Sequence, residues 1–151
     1  MTEARIVVCP HCHTPNRLPL ARLADGGKCG ACKQALHVGA PIELDASSFD
    51  RHILRSELPI VVDFWAPWCG PCRMMEPMFE RAAETLEPRA RLLKLNLDEA
   101  QATARRFGIQ SVPTLLLTSQ GQLIAQSAGA RDSRGIIDWA KSQMPAASIR
   151  P

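Results

Sequence analysis

The sequence predicts an α/β domain, a central mixed sheet with helices on both faces, preceded by a small module with no adequate core of its own. Two observations carry the domain: from about residue 39 to 145, strand-length apolar runs alternate with helically periodic segments, and a hairpin pattern follows. A third carries the module. Up to residue 38 the chain is rich in turn formers ("CPHCHTPNRLP", "ADGGKCGAC") and poor in large apolar residues, so it needs a staple. All 6 cysteines of the 151-residue chain fall in C-x-x-C pairs.

The elements follow in order. "PIELD" reads as a short strand near Pro41–Asp45, with a helix starting near Ser47. "PIVVDFWA" is a continuous apolar run, the mark of a strand covered on both faces. From Gly70 to about Leu86, Met74, Met75, Met78, Phe79, Ala82, Ala83 and Leu86 recur with helical spacing. Pro71 suits the first turn, whereas Pro77 lies inside and is expected to kink the helix. "RLLKLNLD" reads as a second buried strand and "EAQATARRFG" as a short helix closed by Gly108. "PTLLLTSQGQLIAQSAG" is two strands about a Ser119–Gly121 turn. "DSRGIIDWAKSQM" is a final helix capped by Asp132 or Ser133, with Ile136, Ile137 and Ala140 facing inward. Residues 146–151 are expected to form a flexible tail.

Composition excludes several classes. The chain is 46% hydrophobic and 22% charged, which argues against disorder. The net charge of +3 arises in the first 38 residues, where five Arg/Lys face two Asp/Glu, while the remainder balances. That excess is small, and no aromatic residue in this segment could stack on bases, so nucleic acid is not an expected partner. No stretch of about 18 apolar residues is present, and the N-terminal apolar run is too short for a signal peptide. A soluble, cytoplasmic monomer is expected, in a reducing compartment where cysteines serve metal or redox chemistry.

The middle pair, Cys69 and Cys72, has the setting of a redox couple. It follows a buried strand, at the carboxyl end where open α/β sheets place their sites. Cys69 precedes a helix, whose unpaired N–H groups and dipole favour a thiolate. Cys72 falls in the first turn, within reach of a mixed disulfide formed at Cys69. Gly70 and Pro71 make a tight turn that resists splaying around a metal. Asp63 is anomalous, a charge in the middle of a strand covered on both faces. It is either tied down by backbone hydrogen bonds or, as such residues cluster at functional sites, a proton acceptor for Cys72. Lys94, the one charge in "LLKLNL", is either its neighbour on the next strand or a snorkelling edge lysine. The Met74/Met75/Met78 stripe reads as core.

The outer pairs are spaced C-x2-C-x16-C-x2-C, the pattern of a single four-cysteine Zn²⁺ site formed by Cys9, Cys12, Cys29 and Cys32. Gly30 and the "DGGK" ahead of it are expected to supply the flexibility of the second knuckle. Metal binding would substitute for the missing core. A site in which His11 or His13 replaces a cysteine, and two further redox pairs, are the alternatives.

"FWAPWCGPC" resembles the active-site segment of thioredoxins. The resemblance extends from about residue 42 to 144 through the Asp63 strand, "KLNLD", "GIQSVPTLLL" and Gly129. It implies a thioredoxin fold in which Cys69 is the attacking nucleophile, Cys72 the resolving cysteine and Asp63 the buried acid–base, with Lys94 beside it. It also implies a cis Pro113, with the Val112 backbone pairing with an extended substrate. Trp68, Gly70, Pro71 and Gly129 would complete the docking surface, while Trp65 packs inside. With the outer cysteines included, the whole pattern is similar to the zinc-containing two-domain branch of bacterial thioredoxins. Arg73 departs from it in standing where many thioredoxins carry Lys. The implied activity is protein-disulfide reduction, with disulfide-containing proteins as substrates and thioredoxin reductase and NADPH restoring the dithiol. No bound organic cofactor is expected. A zinc-ribbon binding module on a redox-silent scaffold, or an oxidation sensor that releases zinc, are the other readings.

Overall fold

The computed structural model describes residues 3–145; the expected tail at 146–151 lies outside the described residues. The sheet of the larger unit has the strand order β3-β5-β4-β6-β7, formed by β3 (Ile42–Leu44), β4 (Ile60–Trp65), β5 (Arg91–Asn96), β6 (Thr114–Ser119) and β7 (Gln122–Ala128). β3, β5 and β4 are parallel, β6 runs antiparallel to β4, and β7 runs antiparallel to β6. Four helices complete it: α1 (Ala46–Arg55), α2 (Gly70–Leu86), α3 (Gln101–Arg106) and α4 (Ser133–Gln143). Strand alternation divides the core in two. Val61, Leu92, Leu115 and Leu117 pack against Met75, Phe79 and Leu86 of α2 and Ile136 and Ala140 of α4. Val62, Phe64, Leu93, Leu95 and Leu116 pack on the other face against Phe49 and Ile53 of α1 and Ala104 of α3.

Local chemistry sets the element ends. Asp45 caps α1 in a reciprocal box with Ser48, and the Asp132 carboxylate accepts from the Gly135 N–H at the start of α4. Gln120 and Gly121 both have positive φ (51° and 82°), as the tight turn between β6 and β7 requires. α2 continues through Pro77 to Leu86. Met74 departs from expectation, since it is 76% exposed while Met75 is buried and Met78 only partly so. Its place on the outer edge of the α2 stripe turns it to solvent.

The first segment holds a hairpin not foreseen from its sequence, β1 (Ala4–Val8) paired antiparallel with β2 (Pro15–Pro19), followed by a 3-10 turn over Leu20–Asp25. Its core comprises Val7, Leu18, Leu23 and Leu36 with Cys9 and Cys29, and Leu58 of the larger unit completes it. Further contacts seat this module on the amino-terminal ends of β4 and β5. The Glu57 carboxylate accepts from the Ile6 N–H (2.8 Å), while the Glu57 N–H donates to the Ile6 carbonyl (2.9 Å). The Arg91 guanidinium, buried to 1% exposure, donates to the carbonyls of Val8 (3.0 Å) and Leu36 (2.7 Å). Glu87 lies 3.6 Å from Arg91 and 3.5 Å from His37, and all three side chains are buried. His13 of the module meets the buried His52 of α1, Nδ1 to Nε2 3.2 Å.

Arg91 therefore anchors the module with a desolvated charge. Arg91→Met should lower the unfolding free energy in urea by about 3–5 kcal/mol, because it strands the Glu87 carboxylate. Adding Glu87→Leu should recover much of that loss. A single-variant loss below about 1 kcal/mol would mean that Arg91 and Glu87 are solvated and that the anchor is weak.

Candidate functional site

The end of β4 and the start of α2 build the first centre. Cys69 is the N-cap residue of α2, Gly70 and Pro71 form its first turn, and the Cys72 N–H points back at the Cys69 sulfur (3.2 Å). Cys69 and Cys72 are joined as a disulfide, and both are buried. The sulfur of Cys69 lies 3.7 Å from the carbonyl oxygen of Val112. The Val112–Pro113 peptide is cis, and the Pro113 carbonyl accepts from the Gly129 N–H (2.9 Å). Of the expected docking residues, Gly70 and Pro71 lie between the two cysteines, Val112 packs against the disulfide, and Pro113 and Gly129 are joined to each other through backbone. Trp68 is 65% exposed, and its indole N–H donates to the Asp98 carboxylate (3.2 Å), which fixes the ring at the rim. Trp65 is half-buried against the cysteine cluster.

Asp63 lies two residues from Val61 on β4 and so shares its face, the α2 side of the sheet on which Met75 packs. It is 1% exposed, and its Oδ1 has no hydrogen-bond partner among the described residues. Backbone hydrogen bonds therefore do not account for it. Burial pushes its carboxyl up to about 7; Lys94 opposes this, and Glu43 and Glu76 add to it. Lys94 is its register partner on β5, as expected, but the ammonium goes elsewhere: 3.2 Å from Glu76, 4.0 Å from Glu43 and 4.9 Å above the Trp65 ring.

The second centre is the cysteine cluster of the module. The sulfurs of Cys9, Cys12, Cys29 and Cys32 all lie within 4.8 Å of one another, with Cys9–Cys32 and Cys12–Cys29 both at 3.6 Å. A tetrahedral ZnS₄ centre with bonds near 2.3 Å has S–S edges of about 3.8 Å, so the four fit the ion. The two halves repeat one backbone motif. Cys9 accepts from the N–H groups of His11 and Cys12, and Cys29 from those of Ala31 and Cys32. The His13 N–H donates to the Cys9 carbonyl and the Lys33 N–H to that of Cys29, each with positive φ (63° and 67°). The strained positions are therefore His13 and Lys33, not Gly30, whose N–H bonds the Asn16 side chain. His13 is turned onto His52, away from ligand duty. Asn16 also donates to the Cys29 sulfur (3.5 Å); the Cys32 N–H and then Asn16 lower that thiol to about 6.

Sequence reasoning missed Glu43, Glu76 and Asp98. Asp98 follows β5 at the sheet's carboxyl edge, the position that should have marked it. The glutamates gave no signal, since each reads as an ordinary charge on a solvent face.

Comparison with known proteins agrees with both centres. The thioredoxin family model matches residues 40–142, and the model described as "Thioredoxin 2, N-terminal" matches residues 8–34. Thioredoxin C-3 of Corynebacterium nephridii is 36% identical over 139 residues, covering 92% of this chain and 95% of the relative. A thioredoxin of Synechocystis sp. is 43% identical over 93 residues, or 62% of this chain and 87% of the relative. Among solved structures, a mutant thioredoxin from Halobacterium salinarum NRC-1 superposes with a TM-score of 0.65 at 30% identity, covering 76% of this chain and 97% of that one. No helix among the described residues is long and apolar enough to cross a membrane. The chain belongs to the thioredoxin family of thiol–disulfide oxidoreductases, in a form that carries an N-terminal zinc-ribbon module.

Proposed function

We propose that this protein is a protein-disulfide reductase working through Cys69 and Cys72, restored by thioredoxin reductase and NADPH. The observation that carries the reading is the Cys69–Cys72 disulfide at the N-terminus of α2, flanked by the Val112 carbonyl and backed by a buried carboxyl. In the dithiol form, the Cys69 thiolate attacks a substrate disulfide; one substrate thiolate leaves and a mixed disulfide forms. Cys72 passes its proton to the Asp63 carboxylate and attacks the Cys69 sulfur. The second substrate thiolate leaves, and the Cys69–Cys72 disulfide takes up the oxidation that the substrate has lost. A carboxyl with a pKa of about 7 can exchange that proton at neutral pH. The Val112 backbone, Pro113, Gly129 and the exposed Trp68 ring offer an extended peptide both polar pairing and an apolar edge.

In the module, Cys9, Cys12, Cys29 and Cys32 would hold one Zn²⁺, which when bound supplies the cross-link that this small core lacks. A structural clip is favoured over a zinc-releasing sensor by its placement. The module sits at the carboxyl-terminal end of α2, whose 17 residues put about 25 Å between it and the disulfide. Cytoplasmic, monomeric operation belongs to the same reading.

Three measurements test this. In an NADPH-coupled assay with thioredoxin reductase and a disulfide protein, Cys69→Ser should abolish turnover and Cys72→Ser should accumulate mixed disulfides; full turnover by Cys69→Ser would overturn the reading. The raised Asp63 carboxyl binds its proton more tightly folded than unfolded, so its contribution to stability is complete below about pH 3.8 and is lost as pH rises through about 7. Asp63→Asn should therefore stabilise the protein by about 4 kcal/mol at pH 8 and by almost nothing at pH 3.5, read from urea unfolding. Metal analysis should find one zinc per chain, and chelation should raise hydrogen exchange in β1 and β2 while leaving that of β4 and β6 protected. Exchange unchanged in β1 and β2 after complete zinc loss would refute the clip.

A further inference from the structure

Three charged side chains face Asp63 from the elements packed around it: Lys94 from β5, Glu43 from β3 and Glu76 from α2. β6 offers only Leu115 opposite it, and the start of α2 carries Cys69 and Cys72, which titrate only when reduced. With Lys94 in register one strand away, the two Cβ atoms are about 5 Å apart, and the simplest outcome would be an Asp63–Lys94 ion pair. That pair is not made. The ammonium instead sits in a three-sided clasp of the Glu76 carboxylate at 3.2 Å, the Glu43 carboxylate at 4.0 Å and the Trp65 ring at 4.9 Å. The Trp65 indole N–H in turn fixes Glu43 (3.1 Å). Glu43, Glu76 and Lys94 line a cleft of about 420 Å³, and both glutamates are half-exposed.

We propose that Glu43 and Glu76 are positioning residues: by clasping the Lys94 ammonium they keep it from pairing with Asp63, which stays free to exchange a proton with Cys72. This rests on the reading of Asp63 as the acid–base group. The clasp acts in two ways. It holds the one nearby cation away from the carboxyl, and it adds two negative charges that disfavour ionisation there. Both glutamates are solvated enough that each effect is screened, which bounds it to a fraction of what buried charges would give. Glu43 is itself shifted upward, by burial first and with Glu99 and Glu76 adding to it, against Trp65 and Lys94. The clasp therefore loosens from the acid side as Glu43 protonates.

The Asp63 carboxyl is followed by ¹³C NMR titration in the full-length oxidised protein, where Cys69 and Cys72 do not titrate. Glu43→Gln and Glu76→Gln should each lower its midpoint by about half a pH unit and the double variant by about one, while Lys94→Met should raise it. A midpoint in the double variant within about 0.2 unit of wild type, whatever its thermal stability, overturns the proposal, since a merely structural clasp would alter stability alone. The pH profile of disulfide reduction is measured on the same variants. A shifted Asp63 midpoint with an unmoved profile upholds the clasp and refutes the acid–base role of Asp63, so the two failures are distinct.

Discussion

The parallel pairing of β4 with β5 is the constraint on which both ends of the molecule depend. One register sets Ile60 opposite Arg91 and Asp63 opposite Lys94. Because side chains alternate along β5, Arg91 and Lys94, three residues apart, emerge on opposite faces. Arg91 leaves the strand's first position toward the N-terminal module, and Lys94 leaves its middle on the α2 side, beside the buried carboxyl. A slip of one residue would exchange those faces, removing the anchor from the module and the cation from the redox site in one step. The apolar residues between them, Leu92 and Leu93, belong to the two separate cores and hold the register from both sides.

Buried charge is resolved differently at the two ends. Arg91 keeps its charge, because two backbone carbonyls and Glu87 replace the water it has lost. Asp63 has no such replacement. Its Oδ1 is unpartnered among the described residues and its neighbouring cation is engaged elsewhere, so burial wins and the proton is held to about pH 7. His52 is a third case: burial first, then Arg91 and His13, push it down to about 3, so it packs as a neutral ring against His13. At the docking interface the buried charges are thus paired, although Arg91 Nη1 and Glu87 Oε1 lack hydrogen-bond partners among the described residues, whereas the buried carboxyl at the redox site has neither pair nor partner, as expected if the first holds position and the second moves protons.

Much of the larger unit was legible in the sequence, because its signals are local. The run "PIVVDFWA", the Gly70–Leu86 periodicity and the Asp132 cap each specify an element without reference to the rest. The cysteine spacings likewise report their chemistry directly, and all four outer sulfurs come together as the spacing requires. What could not be read depends on partners distant in sequence. The β1–β2 hairpin has Pro at both ends of its second strand and little alternation, and it is fixed by contacts with Glu57, Leu58 and Arg91, some 40 to 80 residues away. Glu43 and Glu76 acquire meaning only when β3 and α2 converge on Lys94. The misreading of Met74 has the same origin: periodicity gives a face, but only packing gives its width.

The placement of the module limits what zinc can do for the redox chemistry. Its contacts run through the C-terminal end of α1, the C-terminal end of α2 and the first residues of β4 and β5. The disulfide occupies the opposite end of α2. Any influence of the metal on Cys69 would therefore travel along β4 or through α2, which is packed along its length by Met75, Phe79, Ala82, Ala83 and Leu86, both of them buried core elements. The groups that do lie beside the redox site, namely Asp63, Lys94, Glu43, Glu76 and Asp98, all come from the larger unit. The module's energetic weight falls on the amino-terminal edge of the sheet, where Leu58 and Arg91 would otherwise face water.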